Sequence, residues 1–148
     1  MIDHLVVEHA LDAGALEQVR DEMTVARGDP ATVLGLAPQR RVASSARKAT
    51  HVAAYGPGDY FVAHQDGGTP LVHDDSRFRK ASVVICLSAP GTLSGGSLML
   101  HASFGRDESP QSLAPAPATL VAFPSETTHE VLPITDGERL SVVSWYPG

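Results

Sequence analysis

Cysteine is almost missing from this 148-residue chain: Cys86 stands alone, so no internal disulfide can form, and a reducing compartment such as the cytoplasm is the expected setting. Aromatic residues are scarce too. They make up 5% of the chain against 43% hydrophobic residues overall, so aliphatic side chains must fill most of the core. Positive charge is in deficit, and the formal net charge of −6 argues against a general affinity for nucleic acid or anionic membranes. No apolar run approaches the roughly 20 residues that a helix needs to span a bilayer. Met1-Ile2-Asp3-His4 has neither the basic region nor the cleavage site of a signal peptide. Internal repeats and interdomain linkers are absent from the pattern; Ala114-Pro115-Ala116-Pro117 is too short to separate a pair of domains. A single domain over 1–148 is expected, with a core at about 40–148 and a preceding strand and helix in 1–39.

What the chain has is one helical pattern and many short strands. Leu11, Ala15, Leu16, Val19 and Met23 recur at helical spacing between Leu11 and Ala26, with Asp12 near the start and Gly28-Asp29-Pro30 as the stop. Strands are predicted at 4–8, 41–45, 50–55, 60–64, 81–88, 97–101, 118–123, 128–133 and 139–145. Gly56-Pro57-Gly58-Asp59 is a turn, residues 66–75 and 105–117 read as polar loops, and Asp136-Gly137 reads as a hairpin turn. One helix followed by eight or nine strands predicts a mainly β fold, a double-sheet jelly roll (double-stranded β-helix, cupin-like) with the N-terminal helix packed on one sheet.

Chemistry concentrates in four residues. Residues i and i+2 of a strand share a face, so His64 and Asp66 can reach one ion if the extended geometry persists past Gln65. His129, from a strand 65 positions later, completes a two-histidine, one-carboxylate set that leaves coordination positions open and suits non-haem Fe(II). A lone H-x-D is weak, and His73-Asp74-Asp75 is a second one. The first is preferred because it ends a strand, whereas the second lies in a polar loop. Arg139 adds a cation that binds a carboxylate through two parallel hydrogen bonds and stays charged when buried, with Ser141 on the same face.

These residues carry a resemblance. Tyr55-Gly56-Pro57-Gly58-Asp59-Tyr60-Phe61-Val62-Ala63-His64-Gln65-Asp66 resembles the Y-x-x-G-x-x-F-x-x-H-x-D motif of the prolyl 4-hydroxylase-like Fe(II)/2-oxoglutarate oxygenases. Arg79 before the strand Ser82–Ser88, Gly95-Gly96-Ser97-Leu98, Phe123-Pro124, and the series His129, Val131, Gly137, Arg139, Ser141 and Trp145 follow in the family's order, over roughly residues 50–146. The resemblance implies Fe(II) as cofactor, held by His64, Asp66 and His129, with 2-oxoglutarate and O2 as co-substrates. It implies Arg139, helped by Ser141, on the distal carboxylate of 2-oxoglutarate, Tyr55 beside that co-substrate, and Leu98 and Val84 lining the pocket near Trp145. Core packing alone would also account for Tyr55, Trp145, Leu98 and Val84. The implied reaction hydroxylates an aliphatic C–H bond of an amino acid, peptidyl residue or small metabolite and releases succinate and CO2. An aspartate at position 66 favours hydroxylation over halogenation in this family.

Two departures stand out. Where the family often has a tyrosine on the distal carboxylate this chain has Cys86, so that contact is either lost or replaced, with Ser82 as the candidate substitute. The segment before the metal strand is also short, at 63 residues, which makes a second copy of the chain a candidate partner. Arg79 heads the candidate substrate contacts with Asp74, Asp75 and Arg77, in a stretch that equally suits an ordinary surface loop; Val84 and Trp145 are the others. Arg40, Arg41, Arg47 and Lys48 form a basic cluster that could attract an acidic group but equally suits a solvated face. Two alternatives remain: a non-catalytic cupin-like metal or small-molecule binding protein, and desaturation or cyclisation at the same site.

Overall fold

The computed structural model describes residues 2–26, 31–32, 41–44, 50–67, 75–89, 91–103, 105–114 and 116–148. In chain order the elements are β1 (Leu5–Val7), α1 (Ala13–Ala26), β2 (Ala31–Thr32), β3 (Arg41–Ser44), β4 (Thr50–Tyr55), β5 (Phe61–His64), a 3-10 turn (Asp75–Phe78), β6 (Arg79–Cys86), β7 (Leu93–Gly95), β8 (Leu98–Leu100), β9 (Gln111–Leu113), β10 (Leu120–Pro124), β11 (His129–Val131), β12 (Ile134–Gly137) and β13 (Arg139–Pro147). They form a seven-stranded sheet in the order β1-β10-β6-β13-β4-β3-β2, a four-stranded sheet β5-β11-β8-β9, and the pair β12-β7. Tyr55, Val84, Val121 and Phe123 from the large sheet pack with Leu98, Leu100 and Val131 from the smaller one, and this apolar filling is the core of the expected jelly roll.

Period-two alternation explains how the large sheet serves two layers. On β13, Arg139, Val143 and Trp145 face the interior pocket, while Leu140 and Val142 join Leu87, Ile85 and Ala54 on the opposite face, under Leu11, Leu16 and Val19 of the helix segment. That second covered face is why 81–88 reads as an unbroken apolar run. Leu87 and Leu100 are fully buried, and each such side chain contributes about 1.5–3 kcal/mol. The helix begins where Asp12 caps it: the Asp12 carboxylate accepts from the Ala15 amide at 2.8 Å. No helix among the described residues is long and apolar enough to cross a membrane.

The structure adds β2 and β7, which the sequence reading did not mark, and corrects that reading in three further places. Residues 105–117 are not all loop, since Gln111–Leu113 pairs with β8 as an edge strand despite its polar, Pro-flanked sequence. Asp136-Gly137 does not join two paired strands. Both residues belong to β12, which pairs with β7, and β13 leaves at once for the large sheet. Gly137 has φ +77°, and a Cβ there would run into the Thr92 carbonyl, so glycine serves a sheet change rather than a hairpin. The central strand runs from Arg79 to Cys86, two residues earlier at both ends than the apolar pattern suggested. The basic cluster's Arg40, Arg47 and Lys48, and with them His73 and Asp74, lie outside the described residues.

Candidate active site

His64 and His129 are direct cross-strand partners on β5 and β11, which puts their rings side by side with centroids 4.2 Å apart. Each ring is pinned from behind. His64 Nδ1 lies 2.8 Å from the Val62 carbonyl and His129 Nδ1 2.9 Å from the Thr127 carbonyl. A carbonyl can only accept, so each Nδ1 carries the proton and each Nε2 presents a lone pair forward. Phe61 and Phe123 pack on the two rings at 4.0 and 4.7 Å.

Asp66 comes from beyond the end of β5. Its main-chain N–H and that of Gly67 both donate to the Ser125 carbonyl, at 2.9 and 3.1 Å, so the chain keeps its course without a strand partner of its own. Asp66 Oδ1 then lies 3.4 Å from His64 Nε2, and Oδ2 lies 3.4 Å from His129 Nε2. The three donor atoms all fall within 4.8 Å of one another. Two neutral imidazoles and one carboxylate, converging in this way with outer hydrogen bonds already made, fit a single Fe(II)-type ion.

Electrostatics agree with that fit. Burial works against ionising Asp66, but its neighbours His64, His129, Ser82 and Trp145 outweigh it and hold the carboxyl well below the usual range. Burial lowers the His129 pKa, against the pull of Asp66, and favours the neutral, ligating ring.

Ser82 occupies a different place from the one expected beside the oxoacid. Its hydroxyl, fully buried, donates to Asp66 Oδ2 at 2.7 Å and lies 3.0 Å from Ser125 Oγ. The register explains this, because Ser82 sits opposite Phe123 and Trp145, level with the metal face. Ser125 was not singled out in the sequence. Its position immediately after Phe123-Pro124 was the available signal, but its carbonyl contribution leaves no trace in residue type.

Arg139 is 3% exposed. Its Nε donates to the Gly96 carbonyl at 3.1 Å and one terminal nitrogen donates to Ser141 Oγ at 2.7 Å. The Tyr55 ring, its cross-strand partner, lies 5.5 Å from the guanidinium carbon. Gly96 has φ +69°, and a Cβ there would press on the Arg139 side chain, which gives the Gly95-Gly96 pair a concrete task. No carboxylate among the described residues pairs with this buried cation.

The metal face and Arg139 open into one cavity of about 290 Å³. Tyr55, Val84, Leu98 and Trp145 wall it, with Phe61, Val131 and Val143, which the sequence reading had not assigned to it; Gln65, Ser76 and Arg79 stand with them. Ser141 and Ser82 support this lining from behind. A second hollow of about 20 Å³ also borders Arg139, with Cys86 and Thr119 in its lining.

A family profile described as the 2OG-Fe(II) oxygenase superfamily matches residues 50–147. A PKHD-type hydroxylase of Shewanella sp. (strain MR-7) is 33% identical over 91 residues, 62% of this chain. One of Sphingopyxis alaskensis is 33% identical over 91 residues, again 62% of the chain. The matched stretch spans only 39% and 40% of those two relatives. Among solved structures, a prolyl-4-hydroxylase of Pseudomonas putida superposes with a TM-score of 0.75 at 21% identity, covering 97% of this chain and 91% of its own. A viral collagen prolyl hydroxylase from Paramecium Bursaria Chlorella virus-1, solved as a 2OG complex, gives 0.64 at 17% identity, covering 96% and 93%. At these identities the likeness is one of fold.

Proposed function

Because this chain belongs to the 2OG-Fe(II) oxygenase superfamily, we propose that it uses Fe(II), 2-oxoglutarate and O2 to hydroxylate an aliphatic C–H bond of an amino acid, a peptidyl residue or a small metabolite, releasing succinate and CO2. The observation that carries this reading is the buried Arg139. A guanidinium enclosed without a carboxylate partner among the described residues is costly unless an anion arrives to meet it, and it shares its cavity with the three metal-ligand candidates. The names of the PKHD-type and prolyl-4-hydroxylase relatives favour hydroxylation as the outcome.

In this reading His64 and His129 hold the ion through Nε2 and Asp66 holds it through its carboxylate. The bound ion, with the oxoacid and O2, supplies the oxidising power. The protein supplies position and charge. Arg139 grips the distal carboxylate of 2-oxoglutarate, Ser141 and the Gly96 carbonyl fix the angle of the guanidinium, and Tyr55 flanks it. Val84, Leu98, Val131 and Val143 keep the middle of the cavity dry, which strengthens the Arg139–carboxylate contact. Asp66 stays ionised across the ordinary pH range and balances the cation. We assign the protein to the cytoplasm, where Fe(II) and a buried lone thiol both stay reduced.

Anaerobic titration with Fe(II) and 2-oxoglutarate tests this directly. A weak visible absorption band that needs both components is expected, followed by succinate release under air with a panel of amino acids and peptides. Iron binding without the band and without succinate would leave only a metal-binding protein.

A further inference from the structure

Arg79 has no task in gripping the metal or the oxoacid. It opens β6 directly after the 3-10 turn and stands at the lip of the cavity, half-buried. Its guanidinium lies over the Trp145 ring, 4.0 Å from the centroid. One terminal nitrogen donates to the Asp66 main-chain carbonyl at 3.2 Å. These contacts fix the group in place without neutralising it, because a carbonyl and an indole face offer only partial charge. Stacking leaves the edge of the guanidinium, where its N–H donors point, open to a further acceptor.

The charge balance of the cavity is uneven. Asp66 is the only carboxylate lining it among the described residues, and that group is engaged with His64, His129 and Ser82. Arg139 sits at the oxoacid end. Gln65 and Ser76 are neutral. A second ligand entering after the oxoacid therefore meets one fixed positive charge, and that charge is bonded to the backbone of a metal-ligand candidate.

We propose that Arg79 binds a carboxylate of the primary substrate, so that the substrate is a small acid. This rests on the oxygenase reading above. The contact with Asp66 ties Arg79 to the segment that carries a metal-ligand candidate, so an anion held by Arg79 lies in the same cavity as the metal face. The main chain inside a peptide offers such a cation only amide groups, whereas a free or N-acylated amino acid offers a carboxylate. The planar fork of an arginine matches two carboxylate oxygens in parallel.

Trp145 is the chain's only tryptophan and lies under Arg79, so its fluorescence reports a ligand there without turnover. The full chain is titrated with a panel of N-acetyl amino acids and with their primary amides, both with Zn(II) and 2-oxoglutarate present and without them. At least one acid is expected to bind at least about tenfold tighter than its amide, the scale of one charge-assisted contact. In R79Q, folded by the criterion of an unchanged thermal melt, that preference should vanish; R79K should keep a reduced one. Acids and amides binding alike throughout the panel in both forms of the wild type would overturn the proposal. So would a preference that survives in R79Q, since another cation would then hold the carboxylate. The titration uses neither iron nor oxygen, so its failure leaves the oxygenase reading intact, and a failure of succinate release leaves the Arg79 result intact.

Discussion

His64 and His129 face each other across two strands of the four-stranded sheet, whereas Arg139 lies on β13, in the middle of the seven-stranded sheet. The metal end is made of side chains whose rear atoms are tied to main-chain carbonyls of the same local segment, two residues away in both histidines. The oxoacid end draws on a near and a distant partner: Ser141 is two residues from Arg139 in sequence and Gly96 is 43. Asp66 joins the two ends, because Ser82 on β6 and Ser125 after β10 both hold it from the large sheet. On the proposed reading, metal affinity and oxoacid affinity are thus built on separate sheets and can be altered separately, except through Asp66 and its serines.

The largest effect should come from Asp66→Ala, which removes the link. Fe(II) binding measured anaerobically should fall by more than the roughly 10–100-fold that loss of an outer hydrogen-bond partner costs, and succinate release should disappear. Arg139→Ala tests the separation itself. The dissociation constant for 2-oxoglutarate should rise about 100-fold, as when one member of a buried charge pair is lost, with Fe(II) affinity within about threefold of wild type. Equal loss of both would mean that Arg139 supports the fold rather than a ligand. Ser82→Ala should act on the metal end alone, costing about tenfold in Fe(II) affinity and leaving 2-oxoglutarate binding to the Arg139 end in place.

The smallest effect is in pH dependence. In the metal-free protein the lowered pKa of His129 means that the unfolded chain takes up a proton near pH 6.5 before the folded one does, so stability falls as pH drops below that value. The lowered pKa of Asp66 has the same sign. Its contribution is complete above about pH 4 and is lost on further acidification. Thermal melts should decline in both windows, and His129→Gln should flatten only the upper one. A wild-type melt unchanged between pH 7 and 5 would mean that the folded ring titrates like a free histidine.

The sequence exposed what resides in side-chain type. His64, Asp66, His129 and Arg139 could be read because few residues ligate iron or grip a carboxylate, and their order resembles a family pattern. The helix was readable from Leu11, Leu16 and Val19, which repeat at a spacing no strand would use. The missed elements lack such marks. Leu93–Gly95 and Ile134–Gly137 are too short to alternate, and they pair only because Gly95 and Gly137 allow close backbone approach. The expected place of Ser82 failed for a related reason: the face of a strand can be read from its alternation, but its register against Phe123 and Trp145 cannot.

Arg139 also borders a small hollow shared with Cys86 and Thr119, with room for about one water molecule. A larger side chain at Cys86 would take up that space beside the guanidinium while leaving His64, Asp66, His129 and Arg79 in place, so the choice between oxoacids of different chain length becomes a single-site engineering problem.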